Sequence, residues 1–194
     1  MELKELLEKD RSYRGYDETV KLTREELLDM VDCTRLCPSS ANRQPLQYYL
    51  AWEEEIVDKI QQTTAWAKGL PEMTLPHDGM HPTAFIVICQ DTEADASLAR
   101  YQKDVGIVAQ SMLLAAVEMG LGGCMIGNFN AGDVTRTLQL TDNLAPLLIV
   151  AIGKPAEKIV LTEAGPDDSL AYYRDENDVH YVPKRRLEDL VING

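Results

Sequence analysis

The chain's longest apolar stretch runs from Ser97 to Met119, and its middle, Val105 to Val117, carries no charge. Its pattern predicts a helix roughly 34 Å long, at ~1.5 Å per residue, apolar all the way round and so buried on every side. The uncharged block is shorter than the ~18 residues of a membrane span, and Gln110 and Ser111 interrupt it. Gly106, Ala109, Ala115 and Ala116 keep the helix surface low, so another helix can approach closely. A helix buried all round in a chain of 194 residues is best explained by a homodimer that packs it against its twin; the alternative is a central helix in a monomer. Gly120-Leu121-Gly122-Gly123 ends it, because glycine just past the last turn takes the left-handed cap conformation cheaply.

The other segments fall around this helix. Leu3, Leu6 and Leu7 give one apolar face to a first helix ending near Asp10. Thr23-Arg24-Glu25-Glu26 is a capping box that opens a second helix, with Leu27, Leu28, Val31 and Leu36 on its apolar side and Pro38 beyond its end. Gln47 to Trp52 reads as a strand from its aromatic content, and Glu53 to Ala67 as a helix with acidic residues in its first turn. Lys68 to Pro82 is irregular. Ala84 to Cys89 and Pro146 to Gly153 are continuous apolar runs, hence strands buried on both faces, and Cys124 to Gly127 is a short buried strand. Asp133 to Leu140 is a short helix. The chain divides into a core, 1–155, and an arm, 156–194, polar until an apolar end at Leu187, Leu190, Val191 and Ile192 that is built to dock on a partner subunit.

Composition narrows the function. The formal net charge of −13 argues against nucleic-acid and anionic-membrane partners, which need clustered cations. The four cysteines (Cys33, Cys37, Cys89, Cys124) show neither a Cys-x-x-Cys motif nor a secreted disulfide pattern, and the acidic amphipathic N-terminus is no signal peptide. A reducing cytoplasm is the expected compartment. His77-x-x-x-His81 has metal-ligand spacing only if helical, and Gly79 and the nearby prolines oppose that, so no metal is expected. Neither a Walker A motif nor a Ser-His-Asp set stands out, and the glycine-rich run follows a helix, where a dinucleotide fingerprint follows a strand.

Two segments carry candidate chemistry. Arg11-Ser12-Tyr13-Arg14 places two arginines at i and i+3 with a hydroxyl between them; they either converge on one anion, through forked donors, or cap the first helix. Pro38-Ser39-Ser40-Ala41-Asn42-Arg43-Gln44-Pro45 is rich in hydrogen-bonding groups and poor in charge, which suits contact with a neutral polar ring or a plain turn. Lys184-Arg185-Arg186 is the chain's only dense run of cations.

Taken in order, these motifs resemble those of the flavin-dependent nitroreductase family. Arg11-Ser12-x-Arg14 is similar to its N-terminal motif, Pro38-Ser39-Ser40-x-Asn42-x-Gln44-Pro45 to its polar loop, and Gly120-Leu121-Gly122-Gly123 through Gly127 to its glycine-rich strand after the central helix. Pro146 to Gly153 with Lys184 and Arg186 resembles its last strand and phosphate-binding cations. The resemblance implies an α+β fold, with a mixed, mainly antiparallel sheet between helices. It further implies an intertwined homodimer with an exchanged C-terminal arm and two FMN sites at the interface. Arg11, Ser12 and Arg14 would hold the ribityl-phosphate and pyrimidine edge. Pro38, Ser39, Ser40, Asn42 and Gln44 would reach the flavin from the other subunit. Gly123 and Gly127 would offer backbone near its O4/N5 edge, and Lys184 and Arg186 would neutralise the phosphate. Asp10 stands where many members carry a further arginine. The activity implied is ping-pong hydride transfer from NAD(P)H through flavin N5 to a nitroaromatic, quinone or other small acceptor, with no catalytic side chain. A reductive dehalogenase or FMN-consuming enzyme of the same fold, and a non-catalytic FMN-binding or sensing protein, are the alternatives.

Overall fold

The structure, a computed structural model, describes residues 2–193. Its elements are α1 (Leu3–Lys9), β1 (Tyr16–Asp17), α2 (Arg24–Thr34), β2 (Leu46–Ala51), α3 (Glu54–Gln61), β3 (Ala84–Asp91), α4 (Gln102–Glu118), β4 (Gly122–Ile126), α5 (Ala131–Leu138), β5 (Leu144–Pro155), β6 (Ile159–Ala164), β7 (Tyr173–Arg174) and β8 (His180–Arg185).

β5 organises the main sheet. Along one edge it pairs antiparallel with β3, which pairs antiparallel with β2; along the other it pairs with β4 and, at its end, with β1. Alternate residues of a strand face opposite sides, and β3 is apolar on both. Ala84, Ile86 and Ile88 pack with α2 and α4, through Leu27, Met30, Val105, Val108 and Met112. Phe85, Val87 and Cys89 pack with α3 and α5, through Val57, Ile60, Val134 and Leu138. The sheet therefore lies between two helical layers, as its continuous apolar strands predict.

Helix ends follow local hydrogen bonding. Thr23 Oγ1 accepts from the Glu26 backbone N–H at 3.2 Å, while the Glu26 carboxylate accepts from the Thr23 N–H at 2.7 Å, so the predicted capping box starts α2. Gly120, with φ +74°, follows α4 as the expected left-handed residue. Several predicted boundaries move, among them the end of α2, which stops at Thr34 and leaves Leu36 outside the helix and exposed. α4 starts at Gln102 rather than Ser97, because the Asp95 carboxylate gathers the Ser97 N–H (2.8 Å) and the Tyr101 hydroxyl (2.9 Å) into turns before it. α3 stops at Gln61 rather than Ala67: the Thr63 and Thr64 hydroxyls each donate at 2.7 Å to carbonyls three residues back, competing with helical bonds. α5 spans Ala131–Leu138 rather than 133–140, since Asn130 caps it by accepting the Asp133 N–H.

α4 is not covered on every side by its own chain. Within one chain it leaves a stripe open: Gly106 and Ile107 are exposed, and Gln110, Ser111 and Leu114 half-buried. These positions recur at helical spacing, so one face of the helix looks away from its own core. Beyond β5, residues 159–185 form a second, three-stranded sheet, β6-β8-β7, with β6 and β8 parallel. The Ala156 N–H donates to the Gly15 carbonyl at 3.0 Å, which ties the start of this segment to the N-terminal arginine motif.

Candidate active site

The Arg11–Arg14 motif follows α1 and runs beside the glycine-rich strand: the Tyr13 N–H donates to the Gly123 carbonyl at 3.1 Å. Arg11 makes the helix-capping contact that its sequence allows. Its Nη2 donates to the Leu7 carbonyl at the end of α1, while its Nε is buried without a hydrogen-bond partner among the described residues. Arg14 is held from three sides. Its backbone N–H donates to the Glu157 carboxylate, its Nη1 donates to the Ser12 carbonyl at 3.1 Å, and its guanidinium lies 5.2 Å from the Tyr172 ring centre, within cation–π range. Glu157 also binds Arg174, with both side chains only 2% exposed, and Arg174 in turn reaches Asp178 at 2.9 Å.

Arg11, Ser12, Arg14 and Lys184 line one cavity of about 190 Å³ with Ile159, Tyr172, His180 and Val182. The alternation of β8 explains its floor, since His180, Val182 and Lys184 fall on one face of the strand. Three of the four predicted phosphate-binding cations thus meet. The fourth, Arg186, lies past the end of β8 and faces Glu163 (3.8 Å), Glu188 (3.7 Å) and Asp189 (4.0 Å) instead.

The Pro38–Pro45 loop builds a second, separate cavity. Asp104, buried in the first turn of α4, accepts from the Ser39 hydroxyl at 2.7 Å and the Ser40 N–H at 2.9 Å. Ser39 Oγ in turn accepts the Gln44 N–H at 3.0 Å, and Asn42 Oδ1 accepts from Gln44 Nε2 at 2.8 Å. Ala41, Asn42 and Gln44 have φ of 51°, 53° and 49°. Three non-glycine residues in the left-handed region mark stored strain, of the kind that gathers at ligand-binding loops. Pro38, Ser39 and Gln44 line a cavity of about 140 Å³ with Cys37, Tyr48, Asp104 and Val108 among others; Ser40 and Asn42 stand in the loop beside it.

The two predicted glycines part company. Gly123 is buried, and a Cβ there would lie 2.3 Å from the Ala151 carbonyl oxygen and 2.6 Å from Leu113, so sheet and helix packing requires the glycine. Gly127, just past β4, is exposed with nothing within 4 Å of an added Cβ. His77 and His81 face carboxylates: Nε2 of His77 lies 3.2 Å from Asp178, and Nδ1 of His81 lies 2.8 Å from Glu18.

Sequence reading missed Tyr172, His180 and Asp104. Tyr172 and His180 sit in a polar segment without periodicity, and only the folded tail brings them to the arginines. Asp104 left a signal, a carboxylate at the head of an otherwise apolar helix. Asp10 is also part of this neighbourhood. Its carboxylate accepts from Gln110 Nε2 at 2.6 Å, and burial raises its pKa above the usual carboxylate value, against the lowering effects of Gln110 and Arg11.

The sequence profile of the Nitroreductase family matches residues 7–154. A protein of Methanothermobacter thermautotrophicus that carries the name NADH dehydrogenase/NAD(P)H nitroreductase is 25% identical over 162 residues, covering 81% of this chain and 79% of the relative. The FMN reductase (NADPH) of Bacillus subtilis is 44% identical over a shorter stretch of 55 residues, 27% of this chain and 22% of that protein. The crystal structure of a nitroreductase family protein from Clostridium difficile superposes with a TM-score of 0.63 at 27% identity, covering 81% of this chain and 86% of that one. With a profile that spans the arginine motif, the polar loop, the central helix and the last strand of the main sheet, this chain belongs to the nitroreductase family.

Proposed function

We propose that this chain is an FMN-dependent NAD(P)H oxidoreductase working by ping-pong exchange: NAD(P)H binds, gives up hydride and leaves, and a nitroaromatic, quinone or other small acceptor takes its place. The observation that carries this reading is the meeting of Arg11, Arg14 and Lys184 around Ser12 in one cavity, in a chain whose net charge is −13. Such a concentration of cations against the overall charge suits an anionic group such as a phosphate. The donor set fits: Arg11 Nε and both ring nitrogens of His180 are buried without protein partners among the described residues, and buried polar atoms of this kind call for a polar ligand. The names of the relatives, an NAD(P)H nitroreductase and an FMN reductase (NADPH), support the donor and the cofactor.

FMN, when bound, supplies the redox chemistry, so no protein nucleophile is required. The chain's own part is binding and electrostatics. Arg11, Ser12, Arg14 and Lys184 would hold the phosphate and the pyrimidine edge, and Arg14, held by Glu157 and Tyr172, would supply positive charge there. Asp104 keeps the Pro38–Gln44 loop in its strained shape.

The assembly is a homodimer in which residues 156–194 extend the 1–155 core toward the partner. Three features support it. The cavity of about 190 Å³ is smaller than the ~300–1,000 Å³ of ordinary small-molecule sites, so one chain encloses only part of a flavin. The Pro38–Gln44 cavity is separate from it within one chain, as it is when each subunit serves its partner's site. Ile107 on α4 and Leu187, Leu190, Val191 and Ile192 at the end of the arm, the last four 76%, 60%, 48% and 102% exposed, offer apolar surface for a second copy. Four free thiols fit a reducing cytoplasm, and no described helix is long and apolar enough to cross a membrane.

The test is the visible spectrum of the purified protein under anaerobic NAD(P)H, with its sedimentation at micromolar concentration. A yellow dimer that bleaches with NAD(P)H and recovers with a quinone is expected. A colourless protein that takes up no FMN ends the reading.

A further inference from the structure

Among the cavity's lining residues that the family motifs do not account for is His180. His180 is 1% exposed, and neither ring nitrogen has a hydrogen-bond partner among the described residues. Its backbone N–H donates to the Lys158 carbonyl at 2.9 Å, and its strand pairs with β6 and β7, so the sheet fixes where the ring sits. The Tyr172 ring packs against it at 5.3 Å and 56° and closes its flank with carbon atoms, not with a donor or acceptor. Burying two polar nitrogens in this way is costly unless something pairs with them.

We propose that His180 is a ligand-binding residue of this cavity: as a neutral imidazole it donates one hydrogen bond to the phosphate of FMN and accepts one from a neighbouring ribityl hydroxyl. This rests on the flavin reading given above and adds a residue to it.

Before a ligand binds, burial and the cavity's cations favour the neutral ring, and a neutral ring suits a two-sided contact. Burial, then the charges of Arg14 and Arg174, push the His180 pKa down to about 4, with Asp178 opposing. Lys184, two residues along the same face of β8, and Arg11 across the cavity add positive charge; Glu157 is already engaged by Arg174 and the Arg14 backbone. A neutral imidazole has one donor and one acceptor nitrogen. A fully ionised phosphate can satisfy only the donor. An alcohol can satisfy the acceptor. A polyol phosphate presents both groups in succession. Arginine or lysine at this position would add charge but could accept nothing.

FMN and riboflavin, titrated into the full-length chain and followed by flavin fluorescence, read the phosphate contact directly. The parent is expected to prefer FMN, and His180→Phe, which keeps an aromatic ring but no nitrogen, to bind FMN about tenfold more weakly, the scale of one bond to a charged group. Riboflavin should lose less, and His180→Gln, which keeps a donor and an acceptor, should retain most of the FMN affinity. FMN binding by His180→Phe within twofold of the parent overturns the role of His180 and leaves the flavoenzyme reading intact. A parent that binds no flavin removes that reading and this proposal together. Should the phenylalanine variant not fold, nitrogen-15 spectra of the parent decide. The chain has three histidines, and FMN should move both ring nitrogens of His180; unmoved His180 signals refute the contact.

Discussion

Glu157 links the tail to the N-terminal arginine motif, and its replacement by glutamine tests that link. Its carboxylate is shared between Arg174 and the Arg14 backbone N–H, and the Glu157 and Arg174 side chains are each 2% exposed. Glutamine keeps the volume but removes the charge, so Arg174 is left buried with Asp178 as its remaining carboxylate, a group whose side chain is 42% exposed. Breaking a buried ion pair by removing one partner costs about 3–5 kcal/mol. Asp178 still compensates part of the charge, so the lower end, about 3 kcal/mol, applies. For a chain of this size ~1 kcal/mol shifts Tm by roughly 2–4 °C, which predicts a fall of about 6–12 °C. Thermal unfolding followed by circular dichroism, at one fixed protein concentration because association raises apparent stability, measures it. The double variant Glu157→Leu with Arg174→Met should recover much of the loss, since an apolar pair of similar volume can replace a buried ion pair at little cost. A Tm within 2 °C of the parent for Glu157→Gln would refute the reasoning, because the charge could then not be buried and paired as the structure places it.

Arg14→Ala should weaken FMN binding by roughly 1.5–3 kcal/mol, the worth of a charge-assisted hydrogen bond; equal affinity in a fluorescence titration contradicts its place in the site. Gly123→Ala forces a Cβ to 2.3 Å from the Ala151 carbonyl oxygen, a backbone atom that cannot swing aside, and should cost about 1–3 kcal/mol in urea unfolding; an unchanged midpoint would show that β4 is not packed so tightly. Asp10→Asn should stabilise the protein at neutral pH. Burial raises the Asp10 pKa, so the folded state holds its proton more tightly than the unfolded chain and stability is lost as pH rises through the folded value. The gain over the parent should therefore shrink as pH falls toward the carboxylate range, and a pH-independent difference in Tm excludes that cause.

The sequence by itself determined what depends on near neighbours. The unbroken apolar run of β3 required burial on both faces, the Thr23 capping box fixed the start of α2, and Gly120 ended α4 because its conformation is cheap only for glycine. The arginine motif and the polar loop were legible as groups of donors and acceptors, and their order along the chain pointed to the family. Boundaries that depend on side-chain to backbone bonds were less legible, as at Asp95 and at Thr63 and Thr64, because those bonds compete with the helix by margins that composition does not reveal. Only tertiary structure decided which distant residues meet. Lys184 joins Arg11 and Arg14 while Arg186, two residues on, does not, because β8 ends between them and the chain turns toward Glu163 and Asp189. His180 reaches the same cavity through the two-residue alternation of a strand whose polar sequence gave no sign of one, since its position is set by pairing with β6 and by the buried Glu157–Arg174 pair rather than by anything within its own stretch of chain.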